Sequence, residues 1–420
     1  MLWILLLVIA LLGAPLFAII AAGALNGFHQ EELESTIVAL EFFRLADMPV
    51  LMAIPLFTFA GYLLSESRAP QRLVDISEAL LGWMPGGLGL VTLLTCAIFT
   101  AFTGASGVTI VALGALLYPA LKQAGYSNDY SLGMVTTAGS LGVLLAPSLP
   151  LILYAVVAQQ VVFDQAVSVD DLFLAGLLPA ALMVLLLAIY SARVPRQIAA
   201  DKARPKLGPS LRAAAWELPL PLVVLGGIYG GWLLVSEAAV VTAAWALVVS
   251  VLIKREVSLR KVPAVIVDSM ALVGAIFLIL GVSLASTNYL IDQQVPMKLF
   301  TSIQSWVDNR WVFLILLNIF LLILGMLLDI FSAVVLIVPI LLPVALQYGI
   351  HPVHLGIIFL ANMQIGYFTP PVGMNLFISS YRFNQPILSV YRASVPFFFI
   401  LLLALLIITY WPWLSLSLLD

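Results

Sequence analysis

The sequence predicts an all-α polytopic membrane protein of two inverted repeats, each with a re-entrant helical hairpin and a discontinuous helix. Three observations carry that prediction. Hydrophobic residues make up 63% of the chain and charged residues only 9%, against roughly 25% charged in a soluble domain. Apolar stretches of about 20 residues, the length that crosses a bilayer as a helix, recur throughout. Glycines and prolines then return at one constant spacing.

The apolar segments near 2–24, 48–66, 128–158, 172–192, 215–235, 238–253, 263–290, 352–380 and 394–415 each approach spanning length, a count of nine crossings. The opening Met1-Leu2-Trp3-Ile4 lacks the basic residues of a secretory signal, so 2–24 is expected as a retained first helix. Segment 30–47 carries Glu31, Glu32, Glu34, Glu41, Arg44 and Asp47 between apolar residues at helical spacing and reads as interfacial. The stretches 70–82 and 297–306 read the same way. Two runs, 86–121 and 311–346, are too long for one crossing and polar or small-residue at their middles, Thr103-Gly104-Ala105-Ser106-Gly107 and Leu328-Asp329-Ile330-Phe331-Ser332. Non-helical backbone is tolerated at membrane depth only where protein or a wet cavity covers it. Each run is therefore expected to be a re-entrant hairpin with a polar tip.

Basic residues set the orientation. Arg193, Arg196, Lys202, Arg204, Lys206 and Arg212 in one loop, and Lys254, Arg255, Arg260 and Lys261 in another, place both loops in the cytoplasm. The acidic joint 159–171, with Asp164, Asp170 and Asp171, then falls outside, the N-terminus inside and Asp420 outside. The two hairpins enter from opposite faces and their tips approach in mid-membrane.

Pro119, Gly125, Gly142 and Pro147 recur as Pro343, Gly349, Gly366 and Pro371, each 224 residues later. The order repeats as well: polar-tipped hairpin, proline in the returning arm, glycine loop, apolar helix, Gly/Pro interruption. Proline within a spanning helix removes a backbone donor and clashes with the preceding turn, so both helices break at their centres. Inverted repeats with discontinuous midplane helices are the pattern of ion-coupled secondary transporters. The expected division is 1–82 scaffold and interfacial arm, 83–158 first core, 159–308 scaffold with a basic linker at 193–214, 309–381 second core, and 382–420 C-terminal helix.

Thr103, Ser106, Ser332 and Thr369, with the carbonyls of Ala105, Gly142, Ile330 and Gly366, supply hard oxygen suited to a hard cation. Small hydroxyl residues and glycines also serve plain helix packing. One ion site is expected between the first tip and the Gly142 loop and another between the second tip and the Gly366 loop. Asp329, the deepest carboxylate, needs a partner or a cavity. It reads as a group beside a cation, as an N-cap, or as a protonatable relay. The candidate substrate site lies between the tips, with Ser106, Gly107, Asn362, Thr369, Pro370, Pro371, Gly373 and Asn375, near Gln364. No arginine is expected at membrane depth there, so half-helix N-termini and bound cations are expected to hold an anion.

Other chemistries find less support. Basic residues form short clusters with a net charge of −3, which does not favour nucleic acid. Phosphate-binding glycine loops with a lysine are missing, so energy is expected from an ion gradient. Gly104-Ala105-Ser106-Gly107 matches the string of intramembrane serine proteases, yet His29, His351 and His354 fall at helix ends or loops, where no buried base is expected. His351 and His354 read as polar caps, Tyr410, Trp411 and Trp413 as an interfacial belt, and the lone Cys96 as packing.

The tips and interruptions resemble the large membrane subunit of tripartite ATP-independent periplasmic (TRAP) transporters. The resemblance is carried by Phe99 to Gly107, by Gly139-Ser140-Leu141-Gly142 with Pro147-Ser148, and above all by Gly366-Tyr367-Phe368-Thr369-Pro370-Pro371-Val372-Gly373 followed by Asn375. It extends to Leu327-Leu328-Asp329 and to Asp171, Gly176 and Pro179. It implies the elevator-type ion transporter architecture, uptake of a small organic acid across a bacterial or archaeal inner membrane, and sodium as coupling ion with no other cofactor. It also implies a small four-helix membrane subunit, expected as a separate polypeptide, and a periplasmic substrate-binding protein. The alternatives are a stand-alone elevator-type carboxylate or ion antiporter, against which the Thr-Pro-Pro-Val-Gly stretch argues, and the protease.

Overall fold

The computed structural model describes residues 6, 8–9, 12–30, 36–84, 86–161, 167–195 and 205–419. Residues 2–5, 7, 10 and 11 of the expected first helix, Glu31, Glu32 and Glu34 of the arm, Asp164 of the acidic joint, Arg196, Lys202 and Arg204 of the basic linker, and Asp420 lie outside them. Every regular element among the described residues is helical. The first half contains α1 (Leu16–Gln30), α2 (Thr36–Ala46), α3 (Ala53–Glu66), α4 (Ala69–Leu81), α5 (Gly87–Thr103), α6 (Ser106–Ala112), α7 (Gly114–Gln123), α8 (Asn128–Ala138), α9 (Leu149–Gln159) and α10 (Val169–Arg193). The middle contains α11 (Leu207–Ala213), α12 (Pro219–Tyr229), α13 (Val235–Leu247), α14 (Val262–Asp292) and α15 (Val295–Gln304). The last third contains α16 (Arg310–Leu327), α17 (Ile330–Gln347), α18 (Pro352–Gly366), α19 (Met374–Phe383), α20 (Ile387–Tyr410) and α21 (Trp413–Leu416).

Local chemistry fixes the ends. At α10 the Ser168 hydroxyl accepts the Asp171 N–H at 2.9 Å while the Asp171 carboxylate accepts the Ser168 N–H, a reciprocal capping box. Asp170 and Asp171 in its first turn and Arg193 in its last complement the helix dipole. Ser127 caps α8 by accepting the Tyr130 N–H and Asn309 caps α16 by accepting the Trp311 N–H, without the reciprocal bond.

Seven helices among the described residues are long and apolar enough to cross a membrane, or eight if the bent pair Asn128–Leu144 and Leu149–Gln159 is one span. The sequence led us to expect nine, and the difference has identifiable causes. Segment 2–24 is interrupted at Gly13, with φ at +92°, and at Pro15, so α1 starts only at Leu16. Segment 215–235 shortens to α12 behind Pro219, and segment 352–380 ends its first helix at Gly366. The arms α16 and α17 of the second hairpin, in turn, are each of spanning length.

The two halves superimpose in order and spacing. Helix α7 ends at Gln123 and α17 at Gln347; α8 begins at Asn128 and α18 at Pro352; α9 ends at Gln159 and α19 at Phe383. Each difference is again 224. Gly125 and Gly349 both take positive φ, and the Ala146–Pro147 and Pro370–Pro371 bonds are both cis. Packing is exchanged between the halves: α9 lies on α17, and α19 lies on α6. Likewise α8 packs on α20 and α18 on α10. The Ser140 hydroxyl donates to the Gln364 carbonyl at 3.3 Å, joining positions that are themselves 224 apart. All 15 residues of α18 are buried, which is why it is apolar on every side rather than amphipathic.

Around this core, α3 packs against α13 and α14, and α14 also covers α1, α2 and α17. One buried ion network ties α4 to this layer. Arg72 donates through Nη1 to Glu256 and through Nη2 to Glu217, both at 2.5 Å, and Glu256 also accepts the Arg68 N–H at 2.9 Å. Burial raises the Glu256 carboxyl, but Arg72 and the Arg68 N–H outweigh it and hold the group below the usual glutamate range. Lys261 pairs with Glu66 beside it.

Candidate functional site

The two hairpin tips close on a single cavity of about 380 Å³, within the range of small-molecule sites. Gly104, Ala105, Ser106 and Gly107 line it from the first hairpin, and Asp329, Ile330 and Phe331 from the second. Tyr367 enters from the second break. The opposite wall is Tyr62 of α3 and a stripe of α14 that includes Leu272, Ile276 and Ile279, residues three to four apart on one helix face. Among the described residues lining the cavity there is no lysine, arginine or histidine.

Behind the first tip lies a buried knot of oxygens. The Thr100 hydroxyl donates to the Gly139 carbonyl at 2.8 Å and lies 2.7 Å from the Thr109 hydroxyl. The hydroxyls of Thr103 and Thr109 are 3.5 Å apart, and each is 3.5 Å from the Ala105 carbonyl. All three threonines are essentially inaccessible. Two expected ligands, Thr103 and Ala105, therefore meet here. Thr100 and Thr109 were not singled out, though the i, i+3 spacing of Thr100 and Thr103 and the return across a tight tip at Gly104 place them together.

Ser106, expected in the same site, turns away: its hydroxyl donates to Asn375 Oδ1 at 2.8 Å, linking the first tip to α19. That partner is a neutral amide oxygen, which cannot take the proton a serine nucleophile must lose. His351 caps α18, and His354 is bonded to the Thr409 carbonyl, so neither is Ser106's base.

At the second tip Asp329 is the N-cap of α17. Its Oδ1 accepts the N–H groups of Phe331 and Ser332, each at 3.0 Å, and its Oδ2 accepts the Ser332 hydroxyl. The Ile330 N–H is held by the Tyr367 phenol oxygen at 2.7 Å. Of the expected second ion set, Asp329 and Ser332 thus satisfy each other, and the Gly366 carbonyl accepts the Thr369 N–H at 3.0 Å. The Gly142 carbonyl is likewise engaged by Leu145.

The break glycines have a packing role visible in both halves. A Cβ on Gly142 falls 2.2 Å from the Ala97 carbonyl oxygen and 2.5 Å from the Ala101 nitrogen; one on Gly366 falls 2.4 Å from the Gly325 carbonyl carbon. Ala101 and Gly325 are equivalent under the repeat. Each break therefore presses on the outer arm of its own hairpin at a distance only glycine permits.

The expected substrate residues divide. Ser106 and Gly107 line the cavity, and Asn375 reaches it through Ser106. Asn362 does not: its amide donates to Asn318 Oδ1 at 2.7 Å and to the Ile358 carbonyl, in a polar cluster with Thr409. The Gln364 amide lies against Met183, also away from the cavity. The Thr369 hydroxyl bonds the Ile365 carbonyl, Pro370 and Pro371 are exposed, and the Pro371 carbonyl accepts from Tyr391. Gly373 sits beside the site only through its neighbour Met374. The cavity wall from Tyr62 and α14 went unread because no local motif marks it, and Tyr367, though inside the Gly366–Gly373 stretch, carried no expected role.

Two hairpins of matching build around one cavity, set in helices of spanning length, define a multi-pass membrane transporter. The comparisons specify which kind. The family of the DctM component of tripartite ATP-independent periplasmic transporters matches residues 1–414, and the chain belongs to that family. It is 34% identical over 390 residues to the C4-dicarboxylate TRAP transporter large permease protein DctM of Pseudomonas aeruginosa, covering 91% of this chain and 88% of that protein. It is 33% identical over 404 residues to the isethionate TRAP transporter permease protein DctMQ of Oleidesulfovibrio alaskensis, covering 95% of this chain and 61% of the longer relative. In fold it is similar to the crystal structure of the Alcanivorax borkumensis YdaH transporter, with a TM-score of 0.64 at 16% identity over 91% of this chain and 89% of that one.

Proposed function

We propose that this chain carries a small organic acid anion through the inter-tip cavity, driven by sodium held in the threonine cluster of the first hairpin. The observation that carries the reading is the contrast between these neighbours: a cavity lined without a basic side chain beside a buried, all-oxygen knot. An anion entering such a cavity needs positive charge from elsewhere. The N–H groups that open α17 are already held by Asp329 and Tyr367, so a nearby cation supplies it. Oxygens at adjacent corners around a hard cation bound at 2.3–2.6 Å lie about 3.3–3.7 Å apart, which suits the 3.5 Å separations among Thr103, Thr109 and Ala105. The chain's own contribution is to hold those oxygens and to desolvate the anion against Tyr62, Tyr367 and α14.

The named substrates of the two relatives, a C4-dicarboxylate and isethionate, are both small anions. Hairpins and breaks form the moving body and α3, α13 and α14 the fixed one, in an elevator motion within a bacterial inner membrane. A periplasmic binding protein delivers the substrate, and a four-helix membrane subunit completes the permease. Uptake into proteoliposomes containing both partners, with sodium and proton gradients imposed separately, tests the reading. Substrate entry is expected only with inward sodium; entry indifferent to sodium overturns the coupling.

A further inference from the structure

A second pocket, of about 430 Å³, lies at one end of the helix bundle. Arg193 reaches it from the last turn of α10, Arg392 from the second turn of α20, and Asp129 from the first turn of α8. Tyr190 and Phe397 form its apolar wall, edge to face with ring centres 5.4 Å apart. Asp129 is the one acid among the described residues of the lining and sits 3.9 Å from Arg392, both exposed to solvent. Two guanidiniums against one carboxylate give the described lining a net positive charge.

Each arginine also heads an apolar stripe. On α10, Ile189 and Leu185 lie four and eight residues before Arg193 and are exposed. On α20, Phe399 and Leu403 lie seven and eleven residues after Arg392 and are likewise exposed. These spacings stack side chains along one helix face, and α10 packs directly on α20. Positive charge at the helix ends above exposed hydrocarbon matches the two chemical ends of a phospholipid, and basic pockets between membrane helices are where headgroups bind. A soluble anion has no use for the stripes.

We propose that this pocket binds an anionic phospholipid, its phosphodiester between Arg193 and Arg392 and its acyl chains along α10 and α20. Because α8 leads into the first break and α20 follows the second, the lipid bridges elements of both repeats.

The test titrates the delipidated full-length chain with phosphatidylglycerol, phosphatidylcholine or inorganic phosphate, reading bound lipid by native mass spectrometry and the melting temperature in parallel. Phosphatidylglycerol is expected to bind and stabilise, the other two not. Arg193→Gln with Arg392→Gln weakens binding by about fivefold per arginine, lysine at both positions retains it, and Asp129→Asn strengthens it. Equal binding of the two lipids, stabilisation by inorganic phosphate alone, or undiminished affinity in the folded double variant overturns the site. If the double variant does not fold, Asp129→Asn decides: no gain in affinity overturns the site as well.

Discussion

The two hairpins share a backbone plan and differ in chemistry. Where the first hairpin carries Thr100, Thr103 and Thr109, positions 224 residues later hold Leu324, Leu327 and Ala333. Where the first tip has Ala105, the second has Asp329. Three hydroxyls thus cluster on one side, and on the other a carboxylate spends its oxygens on capping α17. A repeat preserves what the packing requires, namely the glycine breaks against the outer arms, and releases what only one copy needs. Pseudo-symmetry of the fold therefore does not license symmetry of the sites: the expectation of two equivalent ion sites meets one oxygen cluster and one helix cap.

The largest expected effect falls where the halves agree. Gly142→Ala and Gly366→Ala each drive a methyl group into backbone, an overpacking that costs about 3 kcal/mol or more. Both are expected to lose the monodisperse peak in size-exclusion chromatography. Normal yield from one and not the other would show that the breaks are not equivalent.

Where the halves diverge, effects are expected on one side only. Thr103→Val with Thr109→Val raises the sodium concentration for half-maximal uptake by at least about tenfold, equal to about 1.4 kcal/mol. Ala333→Ser, at the position matching Thr109, leaves it unchanged. A shift of similar size from both would return the second hairpin to an ion-binding role.

Asp329 gives a smaller and more diagnostic effect. Asp329→Ala removes a cap and costs about 1 kcal/mol of stability, whereas Asp329→Asn keeps a capping oxygen. Melting curves are expected to separate the two, with uptake retained in Asp329→Asn. Loss of uptake in a fully stable asparagine variant would mean that the negative charge itself is used.

The mildest prediction concerns acid. Glu256 is depressed in the folded protein, so its ion pair with Arg72 stabilises above the unfolded glutamate range, about pH 4.3, and that stabilisation is lost as pH falls through the lower folded value. The melting temperature is expected to drop on acidification below that range, and less so in an Arg72→Met variant.

The spacing of Gly and Pro made the paired architecture legible, because those residues act through backbone rules that need no knowledge of neighbours. The polar tips also marked the cavity's two ends. Asn362 and Pro370–Pro371 were read toward the site from their nearness to the break, yet proximity along the chain is not proximity to the cavity: one turn of α18 carries Asn362 round to Asn318, and the proline pair emerges at the surface. Thr100 and Thr109 stayed hidden since a hydroxyl inside an apolar helix reads as packing until the partner helix is known. Tyr62 and the α14 stripe are contacts across more than 200 residues, for which a single sequence holds no signal.

The exchange of partners between repeats, α9 on α17 and α19 on α6, carries a consequence for how such a chain is made. A half severed in the basic linker keeps its own hairpin and break but loses the other half's share of the cover on its returning arm, α19 from α6 or α9 from α17. Neither fragment owns a complete interior, so synthesis of the first half leaves an unfinished surface that waits for the second to emerge.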